Sequence, residues 1–213
     1  MYRHGHRSAP LGVRRGLCGR WPGRRGRDAV LPGLRVFDGG WAGYWRFVRE
    51  AATCVKIFVR RARCDSCGRT HALLPAFCLR NRLDVAEVIG SVVEAVAGGL
   101  CGVRPAACAV GVPHTTARGW VRAFGTNAGR LAAAFSALSI ELAGEVVSVG
   151  ADQRGGALRA IRASFDAASA LVGWASLGLW RFCCAVSGGS VLAPNTNSPY
   201  LVVGRRRFMP PVP

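Results

Sequence analysis

Two clusters in this chain have the residue types and the spacing for chemistry. The first is Cys64-Asp65-Ser66-Cys67, followed by Gly68 and His71. Thiols in a Cys-x-x-Cys step can clamp one side of a tetrahedral zinc, with the glycine easing the turn around the metal and His71 as a third ligand. A closed site needs four ligands and the sequence has no second Cys-x-x-Cys, so Cys18, Cys54 and Cys78 are the thiols left to complete it. The alternatives are a degenerate half-site and a redox pair, although no thioredoxin-like βαβ pattern surrounds these cysteines.

The second cluster is Arg104 to Phe124, RPAACAVGVPHTTARGWVRAF. Its spacing predicts a helix-turn-helix. Ala107 is small where two helices cross, and Gly111 stands where the turn needs a positive φ. Val110 and Val112 flank that turn and face the core, while Ala117 and Trp120 pack the second helix back onto the first. His114, Thr115, Arg118 and Arg122 then point outward. Residues near the start of such a helix meet base edges in the DNA major groove, and an arginine pairing with guanine discriminates by about 1–3 kcal/mol. The competing interpretation is an αα-hairpin with a solvated face.

Catalytic chemistry is poorly supplied. There are 11 acidic residues, and Glu141, Glu145, Asp152 and Asp166 fall in or between helical patterns with no strands to gather them around metal ions. Glu141 and Glu145 read as an i, i+4 pair on a solvated helix face. Two of the four histidines, His4 and His6, lie in an arginine-rich leader beside no triad partner, and no phosphate-cradling Gly-x-x-x-x-Gly-Lys-Ser/Thr occurs. The expectation is a binding protein, not an enzyme.

The elements that must position these clusters follow from periodicity. Val85, Val88, Ile89, Val92, Val93 and Val96 form a helical stripe, with Asp84 and Glu87 placed as a near capping box and Gly98-Gly99 as its end. With the helix-turn-helix it makes a trihelical unit. Valine is a modest helix former, so packing must hold this helix. Val55, Ile57 and Val59 alternate with Lys56, Phe58 and Arg60 as a strand, near the aromatic Trp41, Tyr44, Trp45 and Phe47. Beyond residue 125, Leu131, Phe135, Leu138, Leu142 and Val146 predict one helix. Leu158, Ile161, Phe165, Ala168, Val172, Ala175 and Leu179 predict another, joined to it through Asp152 to Gly156. Their faces pack as core or pair with a second copy or a partner.

The expected fold is mostly α with a small β-rich, zinc-ribbon-like N-terminal module, a trihelical helix-turn-helix domain and a C-terminal helical hairpin. The expected divisions are a basic flexible arm (1–35), a degenerate zinc-ribbon-like module (36–80), the helix-turn-helix domain (81–125), a helical region (126–192) and an extended basic tail (193–213).

Composition narrows the partners. The chain has 213 residues, 29 Lys plus Arg against 11 acids and a formal net charge of +18. Lys56 is the single lysine, a bias that GC-rich codons explain, but codon bias does not explain the shortage of acids. Such a charge binds phosphates through counterion release; the alternative is indiscriminate polyanion binding. Nine cysteines at irregular spacing, with no apolar run following the N-terminal arginines, suggest a reducing cytoplasm, with the protein on the nucleoid. The apolar run Ala167 to Trp180 is too short to span a bilayer, so no membrane role is expected.

Arg60 to Phe77, RRARCDSCGRTHALLPAF, and Gly111 to Phe124, GVPHTTARGWVRAF, resemble actinobacterial proteins carrying a DUF6431 domain. The resemblance covers roughly residues 30–124 and touches the APNTNSP and RRRFMPPVP stretches of the tail. It implies a zinc-ribbon-like part, a helix-turn-helix and association with transposable elements, with no assigned activity. In that pattern a Cys-Pro-x-Cys precedes the aromatic region; here Leu31-Pro32-Gly33-Leu34 stands in its place, and leucine cannot ligate zinc. Either apolar packing replaces the metal, or Cys18, Cys54 or His71 fills in. The functional expectation is a DNA-binding, transposition-associated targeting factor acting on double-stranded DNA. A transcription regulator, or a subunit recruiting a separately encoded transposase, is the alternative.

Overall fold

The computed structural model describes residues 34–36, 43–50, 52–64, 70–148, 150–170 and 176–192. Nearly all of the expected basic arm, the whole of the tail, and Cys18 and Cys67 lie outside them. What is described is mostly helical, with a small antiparallel sheet in the N-terminal region.

The sheet forms where bulky and β-branched residues alternate with polar ones. Its strands are β1 (Leu34–Val36), β2 (Gly43–Glu50), β3 (Thr53–Cys64) and β4 (Thr70–Leu73), and β3 pairs antiparallel with each of the others. Period-2 alternation puts Val48 and Val59 in the interior, with Val55 and Ile57 half-buried beside them. The opposite face carries Trp45, Phe47, Lys56, Phe58 and Arg60, all exposed. Val48, Cys78 and Val85 form a small apolar cluster, and Val88 packs against both this cluster and the main core.

Five helices follow: α1 (Ala86–Ala97), α2 (Val103–Ala109), α3 (His114–Ala143), α4 (Gln153–Ser169) and α5 (Leu179–Ser187). The stripe is buried at Val85, Ile89, Val92 and Val93 and half-buried at Val88 and Val96, and Gly98-Gly99 ends α1, with Gly99 at φ +76°. Its start differs from expectation. Residues up to Val85 are extended, because the Val85 amide donates to the Arg49 carbonyl and the Arg49 amide to Leu83. Asp84 therefore caps nothing; it accepts two hydrogen bonds from the Arg49 guanidinium, at 2.7 and 3.1 Å. Glu87 is turned outward to pair with Arg181 of α5.

The region after residue 125 also departs from a two-helix hairpin. The boundary expected there falls inside α3, which runs on through an alanine-rich stretch without proline. Gly125 does not break it; the Arg154 side chain of α4 packs over this glycine, its Nε 2.7 Å from where a Cβ would stand. The first stripe is buried through Leu138 and half-buried at Leu142. Gly144 then ends the helix at φ +70°, leaving Glu145 and Val146 in the following loop. Glu141 and Glu145 thus share no helix face. Asp152 caps α4, accepting from the Arg154 and Gly155 amides. The second stripe ends with α4; Val172 and Ala175 lie outside the described residues, and Leu179 opens α5 after Gly178 at φ +75°. One continuous core runs from Leu79 through Trp120, Phe124, Phe135 and Ile161 to Phe182 and Leu192.

Candidate nucleic-acid interface

The turn between α2 and α3 is fixed by backbone bonds and one glycine. The Gly111 amide donates to Cys108 O at 3.1 Å and the Val112 amide to Ala107 O at 3.0 Å, a paired closure that needs a left-handed residue at Gly111, φ +66°. Val110 and Val112 pack, half-buried, against the core, and Ala106 and Ala107 are buried at the crossing. Pro113 starts α3, accepting from the Thr116 and Ala117 amides. Ala117, Trp120, Val121 and Phe124 anchor the first turns of α3 inward.

That anchoring leaves a defined outer face. Thr115, Arg118 and Arg122 are exposed as their spacing predicted, while His114 is half-buried at the first position of α3. Because α3 is longer than expected, the same face continues through Thr126, Gly129 and Arg130, spanning roughly 22 Å at 1.5 Å per residue. These three were missed by ending the helix at Phe124; the sequence signal was the alanine-rich, proline-free run that follows. Gly119 and Gly129 on this face have open space where a Cβ would stand, so a ligand can approach the backbone closely. Arg104 is exposed near the start of α2.

The charge around this face is one-sided. Between Glu94 and Glu141 the sequence contains no acidic residue. The nearby carboxylates are engaged elsewhere: Glu94 with Arg162 at 2.7 Å, Glu87 with Arg181, and Asp84 with Arg49. None of Arg104, Arg118 and Arg122 has an ion pair among the described residues. Arg130 donates to Asn127 Oδ1 at 2.9 Å, and the buried Asn127 donates from Nδ2 to Val191 O at 3.1 Å, tying α3 to the chain after α5.

The cysteine–histidine block is less complete. Cys64 ends β3 opposite Leu34, and His71 in β4 is opposite Ala62; Cys67 and the side chains of Cys64 and His71 lie outside what is described. Leu34 therefore sits in backbone register with Cys64. Cys54 cannot fill in. It lies ten positions up β3 from Cys64, about 33 Å along an extended strand. Cys78 is buried in the small apolar cluster, where desolvation pushes its thiol up to about 11. Among the described residues no group of three His, Cys, Asp or Glu could hold a metal ion. Glu141, Glu145, Asp152 and Asp166 are exposed and dispersed. Among the described residues no helix is long and apolar enough to cross a membrane.

No family model matches the chain, and neither a curated protein nor a solved structure matches it.

Proposed function

We propose that this chain binds double-stranded DNA by laying the first turns of α3 in the major groove. Arg118, Arg122 and Thr115 reach base edges, His114 stands at the entry of the helix, and Arg104 holds a phosphate. The observation that carries this reading is the exposed arginine face of α3, held by a buried Trp120 and a closed turn and with no carboxylate between Glu94 and Glu141 to neutralise it. Arginines kept for a structural purpose are ordinarily paired; these have no ion pair among the described residues. The resemblance to DUF6431 proteins supports a transposition-associated targeting factor, with a transcription regulator of the same build as the alternative. The scatter of the acidic residues favours a binding role over a catalytic one.

Selection from a random duplex pool tests it. The wild-type chain enriches a defined sequence, and Arg118→Ala/Arg122→Ala loses that enrichment while keeping weak, salt-sensitive binding. Each lost base contact lowers discrimination by about 1–3 kcal/mol. Equal, sequence-blind binding by both proteins would leave only a polyanion-binding coat.

A further inference from the structure

The outer face of the sheet is as unusual as the α3 face, and duplex binding does not use it. Trp45, Phe47 and Phe58 are 60%, 53% and 43% exposed, yet they are cross-strand neighbours on one face: Trp45 pairs with Phe58, and Phe47 with Lys56. Isolated exposed apolar residues are commonplace, but three aromatic rings in one patch mark a contact surface. The patch is also built. The Trp45 and Phe58 rings meet edge to face at 5.3 Å. Lys56, the only lysine of the chain, holds Nζ 5.4 Å from the Trp45 ring centre and 6.0 Å from that of Phe47. Gly43 makes room for the arrangement, since a Cβ there would stand 2.3 Å from the tip of the Phe58 ring.

The charge around the rings selects the occupant. On the face of β2 and β3 that carries the rings the charged residues are Arg49, Lys56 and Arg60, with no acid, and Arg49 is paired with Asp84. A second copy docking here would set Lys56 and Arg60 against their own counterparts, and the arginine-rich N-terminal residues would meet the same repulsion. An apolar peptide would leave the cations unused. A partner with flat apolar surfaces on a polyanionic backbone uses both: bases stack on the rings, and phosphates reach Lys56 and Arg60. Duplex DNA cannot offer base faces, because they are stacked on one another.

We propose that the outer face of the sheet, through Trp45, Phe47, Phe58 and Lys56, binds unpaired bases of single-stranded DNA, at a site separate from α3. The choice of DNA over RNA rests on the duplex-binding reading above; the stacking surface does not. The two surfaces let one chain hold a duplex by α3 and an opened strand beside it by the sheet.

Fluorescein-labelled oligo(dT) of about 15 nucleotides, titrated with the full chain, tests this. The wild-type chain binds, and its tryptophan emission is quenched. Trp45→Ala/Phe47→Ala/Phe58→Ala weakens binding by at least about 100-fold, at roughly 10-fold per ring, while its far-UV circular dichroism and its affinity for duplex DNA are unchanged. Trp45→Phe keeps a ring and so keeps affinity within about threefold, but loses most of the quench. Arg118→Ala/Arg122→Ala, run alongside, leaves oligo(dT) binding intact, so failure of one site is distinguishable from failure of the other. The proposal is overturned if the triple variant binds oligo(dT) as the wild type does, or if oligo(U) binds more than about tenfold tighter than oligo(dT). It is equally overturned if the triple variant only converts a dimer to a monomer with oligo(dT) binding unchanged.

Discussion

Single residues decide where this molecule is reactive. Cys54 and Cys108 are exposed, whereas Cys78, Cys183 and Cys184 are buried, and desolvation raises the thiol pKa of all three. Reaction with iodoacetamide at neutral to mildly alkaline pH, mapped by peptide mass, should therefore mark Cys54 and Cys108 ahead of Cys78, Cys183 and Cys184, which react only as the chain unfolds. The same shift has a sign for stability. An unfolded Cys78 loses its proton near 9.0, while the folded one holds it to about 11. Its contribution is thus complete below 9.0 and is lost as pH rises through about 11. A second residue-scale expectation concerns zinc. With Leu34 in register with Cys64, Leu31→Cys/Leu34→Cys adds two thiols beside Cys64 and should raise bound zinc, read by elemental analysis, to about one per chain and well above the wild type, with a higher melting temperature. At this scale much was legible. Gly111, Ala117, Trp120, Arg118 and Arg122 all stand where their spacing put them. Asp84 was not, because a cap and a salt-bridge partner look alike until the distant Arg49 is in place.

Elements are set by what crosses them, and the glycines show it. Gly90 lies in the middle of α1, where alanine ordinarily stabilises a helix by about 1 kcal/mol. A Cβ there would be 2.2 Å from the ring of Trp180 in α5. Gly90→Ala should therefore destabilise by about 1–3 kcal/mol despite its better propensity. Gly129→Ala in α3 meets open space and should stabilise by about 0.5–1 kcal/mol. Urea denaturation of the two variants reads the opposite signs, and a stabilised Gly90→Ala would mean that α1 and α5 do not pack this closely. The apolar stripe of α1 was legible because it is long and regular. The continuity of α3 was not: Gly125-Thr126-Asn127 reads as a break until Arg154 is seen lying over Gly125 and Asn127 is seen bonded to Val191. The same limit hid the interval between α4 and α5, where apolar spacing persists from Phe165 to Leu179 but Gly178 turns the chain before α5 begins.

For the whole molecule, the decisive fact is that the α3 face has no core of its own. Phe124, which anchors the exposed arginines from below, meets Trp180 of α5 edge to face at 6.4 Å, and Phe135 lower on α3 meets Phe182 at 6.3 Å. Phe165 of α4 closes on the same Phe182 at 5.5 Å. The apolar residues from α1 to Leu192 form one cluster, so the trihelical unit suggested by residues 84–124 is one side of a larger body. A chain ending after Phe124 would expose Trp120 and Phe124 and forfeit the burial of several large side chains, each worth about 1.5–3 kcal/mol, against a typical total stability of about 5–15 kcal/mol. It should be largely unfolded by circular dichroism and should bind DNA only without sequence preference, through charge. The full chain should unfold its helical part in a single thermal transition. If instead the short chain folds and selects the same duplex sequence, α2 and the start of α3 are autonomous, and the helices beyond residue 125 serve some purpose other than holding the arginines in place.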